Sequence, residues 1–283
     1  MMNFVKLIIT LLLSACFVAS AWAGVANDIP SCYAANKMKM AVPAPQTELF
    51  VLIDQTTPLD SSLQDAVREN ADRLVKPGAA FVIASFSSFS QGRYLEVLSA
   101  GALESPIDDA ARDDISVKVL RGFDACMADQ AAFGRKAAAA AINRAMGASN
   151  PALAKSDVLG SLRELSARVR QSEARDRIVF IVSDMLENSS ISSFYANRNV
   201  RAIDPKAELK KAQEMIGDFG GARVFVLGAG LVQKGAGSKN TDSGIYRDPK
   251  TISLLRQFWT AYFEASNAKL MEFGAPALLS PIK

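Results

Sequence analysis

RIVFIVSD, residues 177–184, is an apolar run that ends on an acid, and ELFVLID, residues 48–54, repeats that pattern near the other end of the chain. Runs this short, without polar alternation, suit strands buried on both faces of a parallel sheet. Between and around them the pattern changes to helical spacing. Leu63, Ala66, Val67 and Leu74 mark a helix over 59–75, stopped by Lys76-Pro77-Gly78. Apolar strands follow at 79–86 and 93–98, and the short Ser/Gln/Gly link between them predicts a hairpin, making the third strand antiparallel. Residues 102–128 read as charged and irregular, 130–146 as an alanine-rich helix, and 158–169 as another helix. After the 177–184 strand come a helix at 205–219, a strand at 222–228, a helix at 251–266 and a closing strand at 272–278. Alternating strands and helices predict an α/β fold: a doubly wound, mostly parallel sheet with one antiparallel edge strand and helices on both faces. Ligands of such sheets bind where strand order reverses, outside the C-terminal strand ends. Asp54 and Asp184 end two strands that could flank that point. No linker or repeat divides 48–283, so it reads as one domain, with 102–155 inserted and 24–47 as an extended lead-in.

Composition narrows the chemistry. The chain has 283 residues, 49% apolar and 22% charged, which is ordinary for a globular protein. It contains no histidine, which removes Ser-His-Asp, Cys-His and histidine-zinc mechanisms. The net charge of +3 is spread along the sequence without a basic block, so no nucleic-acid partner is expected.

The first residues read as an export signal. Lys6 precedes the apolar run 7–18, and Ala21-Trp22-Ala23 fits a signal peptidase site before Gly24. The apolar run is short of the roughly 20 residues needed to span a bilayer. A second reading takes Leu13-Ser14-Ala15-Cys16 as a lipobox, although the apolar residues after Cys16 argue against it. Either route places the mature chain in a periplasmic or secreted setting with two further thiols, Cys32 and Cys126. Disulfides persist in that setting, so a Cys32–Cys126 bond is the favoured expectation, with two separately buried free cysteines as the alternative. Closing so long a loop is worth roughly 4 to 5 kcal/mol by the chain-entropy model.

From 48 to 279 the chain resembles the von Willebrand factor type A family. FVLIDQTTP stands where that family carries its D-x-S-x-S loop, VIASFSS and RYLEVLS resemble its second and third strands, and IVFIVSDMLEN resembles its strand ending in Thr-Asp-Gly. The resemblance implies a metal-ion-dependent adhesion site. Asp54 matches its first acid, Thr56 its first hydroxyl, Ser156 in KSDVLGSL its middle-loop threonine, and Asp184 its later acid, around Mg²⁺ or Mn²⁺. Pro58 departs from the pattern, because it stands where a second hydroxyl belongs and carries no side-chain oxygen. Thr57 beside it is expected to point elsewhere, and Met185 replaces the usual glycine.

Plainer roles suit the same residues. Asp54 and Asp184 are short acids beside helix starts and fit capping or loop bracing, and Ser156 fits an N-cap. The segment 228–239 is glycine-rich but lacks phosphate-loop order, so it reads as a surface loop. In 187–201, ENSSISSFYANRNVR, exposed Phe194, Tyr195, Arg198 and Arg201 are types found in binding hot spots, while Phe194 and Tyr195 equally suit packing within the loop. Three functions follow as expectations. The first is a recognition or assembly module that docks another envelope or secreted protein at the Asp54/Asp184 edge, with or without metal. The second is a haloacid-dehalogenase-like phosphohydrolase using Asp54, although Thr56 replaces that family's second aspartate. The third is a structural subunit with a vestigial site. The first is preferred, as a non-enzyme.

Overall fold

A computed structural model describes residues 27–90, 93–150, 155–196, 199–231 and 248–283. The expected signal peptide with its expected cleavage site at Ala23, Cys16, Arg198 and residues 232–247 lie outside the described residues. In chain order the elements are α1 (Cys32–Ala35), β1 (Thr47–Asp54), α2 (Ser61–Leu74), β2 (Ala79–Ser90), β3 (Arg93–Ala102), α3 (Asp109–Arg112), α4 (Val117–Gly147) and α5 (Val158–Gln171). There follow β4 (Asp176–Val182), β5 (Tyr195–Ala196), β6 (Asn199–Val200), α6 (Pro205–Lys211), β7 (Ala222–Leu227), α7 (Pro249–Ala265) and β8 (Ala268–Gly274).

Six strands form one sheet in the order β3-β2-β1-β4-β7-β8, and β5 and β6 form a separate small hairpin. All neighbours in the large sheet are parallel except β2 and β3. Strand order reverses between β1 and β4, as the sequence implied, so their C-terminal ends mark the switch point. The continuous apolar runs are explained by two cores, one on each face. Phe50, Leu52, Val179, Ile181, Val224 and Val226 meet α5, α6 and the aromatic face of α7. Leu49, Val51, Ile53, Ile178, Phe180 and Val182 meet α2 and α4.

Four expectations change. The region read as irregular up to 128 is helical from Val117, because α4 is one 31-residue helix. Its alanines pack closely, and a Cβ on Gly134 would lie 2.9 Å from Leu103. The helix foreseen at 205–219 stops at Lys211 and continues as a short 3-10 turn, Gln213–Met215. The closing strand lies earlier, at Ala268–Gly274, directly after α7, and pairs with β7 from Ala222 onward with one register shift after Val224. Pro276, which has no N–H to give a ladder, lies beyond it. The lead-in is not wholly extended, since Cys32–Ala35 makes one helical turn capped by Ser31.

Helix α4 outreaches the sheet. Gln130 bonds Glu104 just after β3, at the N-terminal edge of the parallel strands, and Asn150 N–H donates to the Gln55 carbonyl at the opposite edge. The stretch from Gln130 to Gly147 therefore spans about 26 Å, like an eight-residue strand, and the helix before Gln130 overhangs. A third core supports the overhang: Tyr33, Phe123, Ile107 and Met127 pack around the Cys32–Cys126 disulfide. The pairing expected from the sequence is present, with Cα atoms 5.7 Å apart. Among the described residues no helix is long and apolar enough to cross a membrane.

Candidate functional site

The parallel register builds the site. Ile53 pairs with Val182, so the next residues, Asp54 and Ser183, emerge side by side at the switch point. Asp54 is fully buried and its carboxylate gathers four donors. Oδ1 accepts the Thr56 N–H at 2.8 Å and the Thr56 hydroxyl at 2.6 Å. Oδ2 accepts the hydroxyls of Ser183 at 2.8 Å and Ser156 at 3.0 Å. Four donors match the roughly four lone-pair positions of a carboxylate. Burial pushes the Asp54 carboxyl above its ordinary range, and the hydrogen bonds from Thr56, Ser183 and Ser156 oppose that shift.

Three of the four expected ligands, Asp54, Thr56 and Ser156, are thus in direct contact, while Asp184 sits one residue beyond Ser183 with its Oδ1 accepting the Leu186 N–H at 2.9 Å. Ser183 went unread in the sequence. Aligning the two apolar runs by their ends would have found it, since that alignment places Ser183 opposite Asp54. Thr57, expected to point elsewhere, is buried with its Oγ1 accepting the Asp184 N–H at 3.2 Å. The turn is tight enough to recruit both hydroxyls. Ser156 is not the N-cap of α5, because its hydroxyl goes to Asp54. Glu187 caps that helix from across the site, accepting the Leu159 N–H at 2.8 Å. Glu187 is fully buried, its Oε1 has no hydrogen-bond partner, and burial raises its carboxyl to about 8.

Neighbouring loops lock the centre. Asn188 N–H donates to the Ser156 carbonyl, Asp157 N–H to the Ser87 carbonyl, and Gly230 N–H to the Asp184 carbonyl. Met185, where the resemblance has glycine, takes a left-handed φ of 60° with its side chain buried and its carbonyl held by the Trp259 indole N–H. That conformation costs a bulky residue on the order of 1 kcal/mol, which burial of the thioether offsets.

One residue of the expected hot spot is corrected, in favour of the loop-packing alternative. Phe194 is not exposed: it is fully buried edge-to-face against Phe258, 5.3 Å between centroids. Tyr195 is half-buried in β5. Arg201 pairs with Glu208 at 2.8 Å and lies over the Phe194 ring at 5.8 Å. These residues fold the loop into a unit, because an aromatic in a polar loop gains more from the core within reach than from solvent.

The residues present do not fit the hard-cation site that the resemblance implies. Both Asp54 oxygens are filled by protein donors, and Pro58 offers no side-chain oxygen. Thr56, Ser156, Ser183 and Asp184 are each no more than 5% exposed. Among the described residues no orphaned buried side-chain oxygen lies on Asp54, Thr56, Ser156, Ser183 or Asp184.

No family model matches the sequence, and no curated protein matches it. Solved structures show distant similarity. An aerotolerance-related membrane protein from Bacteroides fragilis is 13% identical, covering 80% of this chain and 91% of that one at a TM-score of 0.35. The pilus adhesin SpaC from Lactobacillus rhamnosus GG is 11% identical, covering 82% of this chain and 29% of that one at 0.40. Proximal thread matrix protein 1 from the mussel byssus is 13% identical, covering 67% and 40% at 0.32. At such scores the α/β assignment stands on this chain's own strand order.

Proposed function

We propose that the chain is a von Willebrand factor type A-like recognition or assembly module, exported to the envelope, that docks a partner protein at the C-terminal edge between Asp54 and Asp184. The observation that carries the reading is the rigid cross-bracing of that edge, where one carboxylate ties the β1 turn, the Ser156 loop and the end of β4 together. Rigid scaffolds carrying loops are the usual way to present a binding surface. Two protrusions flank it. Strand β2 pairs with Asp54 at Phe86 and continues to Ser90, so its hairpin with β3 projects past the end of β1, and the β5–β6 hairpin follows β4. Fold alone does not choose a partner. The Cys32–Cys126 bond supports an oxidising compartment, and a conjugation, pilus or secretion machine of the bacterial type is the setting that fits an exported assembly module.

Against the phosphohydrolase alternative, a nucleophile must reach its substrate, and Asp54 is buried with every lone-pair position engaged. The same closure favours a second reading, a structural subunit whose site is vestigial. Site-specific photo-crosslinking separates them: reactive residues at Ser190 and Ala196, exposed at the edge, are compared with one at Lys118 on the α4 overhang. Adducts from the edge positions alone support docking there. Adducts from Lys118 alone favour the structural subunit. Turnover of a generic aryl phosphate that disappears in Asp54→Asn overturns both in favour of an enzyme.

A further inference from the structure

We infer that the Asp54 centre is a cation-free brace, in which the hydroxyls of Thr56, Ser156 and Ser183 occupy the place a divalent ion would take and fix the edge at any ion concentration. The inference deepens the docking reading, since it makes docking at this edge independent of Mg²⁺ and Mn²⁺, but its chemistry stands on the site alone.

Each step follows from the donor arithmetic. A hard divalent ion in an octahedral site needs six oxygens, and the carboxylates supply the charge that compensates its dehydration. Here the central carboxylate has given both oxygens to O–H and N–H donors from three separate loops. Ser183, which emerges beside Asp54 because Ile53 and Val182 are in register, is one of the two hydroxyl donors that fill Oδ2, Ser156 being the other. Its oxygen is engaged further as acceptor for the Met185 N–H at 2.9 Å. The Thr57 hydroxyl likewise accepts the Asp184 N–H, and Asp184 Oδ1 accepts the Leu186 N–H. At Pro58 the loop lacks the oxygen that would compete with this arrangement. Admitting an ion would require breaking several of these bonds at residues almost wholly removed from solvent, with one oxygen ligand fewer to compensate.

The test titrates the purified protein with MnCl₂ and MgCl₂ against EDTA, reading the thermal midpoint and, for Mn²⁺, free ion by electron paramagnetic resonance. The expected result is an unchanged midpoint and no Mn²⁺ taken up at stoichiometric protein. A bound ion at about 100 times its dissociation constant would raise the midpoint by roughly 5 to 10 °C in a domain of this size. Such a rise, lost in Asp54→Asn, overturns the inference. A rise that persists unchanged in Asp54→Asn places the ion elsewhere and leaves the brace supported. Should Asp54→Asn not fold, Ser156→Ala serves: the brace predicts the same fall in midpoint in EDTA and in Mn²⁺, whereas an ion site predicts a fall only with Mn²⁺ present. Titrating the protein alone keeps this outcome separate from that of the crosslinking, which tests docking.

Discussion

At the C-terminal end of the sheet three loops converge on one carboxylate and are held by hydrogen bonds of 2.6 to 3.0 Å, whereas at the N-terminal end the α4 overhang is held by a covalent staple and a cluster of apolar side chains. Tyr33 stands edge-on to Phe123 at 5.0 Å beside the disulfide, and Glu104 ties the turn of α1 by accepting the N–H groups of Cys32 and Tyr33. The first arrangement is specific but unforgiving, because removing one partner strands several buried hydroxyls. The second is tolerant of side-chain change but depends on redox state. A surface meant to present loops in one geometry gains from the former, and a long helix that has outrun its sheet gains from the latter.

Breaking the polar end has the largest expected effect. Asp54→Ala removes the shared acceptor and opens a cavity, and should lower stability by about 3 to 5 kcal/mol, measured by denaturant unfolding. A loss below 1 kcal/mol would show that the hydroxyls re-pair without it. Removing the staple comes next. Cys32→Ser with Cys126→Ser should cost about 2 to 4 kcal/mol, and hydrogen exchange should locate the loss in 32–38 and 107–127 while amides at the Asp54 edge keep their protection. Equal loss at both ends would mean that the two regions are one cooperative unit.

Titration gives a third contrast. Glu187 has its folded carboxyl raised to about 8 from 4.5, so the folded state holds a proton that the unfolded chain releases between these values. Its stabilising contribution is therefore full below 4.5 and is lost progressively as pH rises to about 8. Asp157, the N-cap residue of α5, adds to the shift by its charge, so Glu187→Gln is the decisive variant: its stability should be flatter from pH 5 to 8 than that of the parent. Parallel pH profiles for the two proteins would refute the assignment to Glu187. Smallest is Ser183→Ala, which removes one donor and should cost about 1 to 2 kcal/mol. The comparison sharpens if Ser183→Ala leaves the disulfide end unchanged by hydrogen exchange.

The sheet was legible because two apolar runs ending on acids cannot be half-exposed strands, and because a short polar link forces β2 and β3 into a hairpin. The start of α4 was not, because residues 117–129 lie beyond the sheet and their apolar positions, Phe123 and Met127, face a small core built from the distant lead-in rather than a continuous stripe. In the site, Asp54, Thr56 and Ser156 were reached through the family resemblance, and the departure at Pro58 was visible against it as a missing side-chain oxygen. Met185 was visible as a break from glycine, but only the backbone shows it carrying the left-handed turn that glycine would carry.

By itself the sequence pointed to the α/β class, the antiparallel hairpin and the pairing of Cys32 with Cys126, because each follows from local periodicity or redox logic, and the family resemblance added the meeting of Asp54 with Ser156. Only the tertiary structure decided that Ser183 completes the Asp54 cluster, that Glu187 rather than Ser156 caps α5, and that Phe194 belongs to the core. Those three depend on strand register and on loops far apart in sequence meeting at one edge. A hydrogen-bond donor is not assigned to its acceptor until the backbone has placed both.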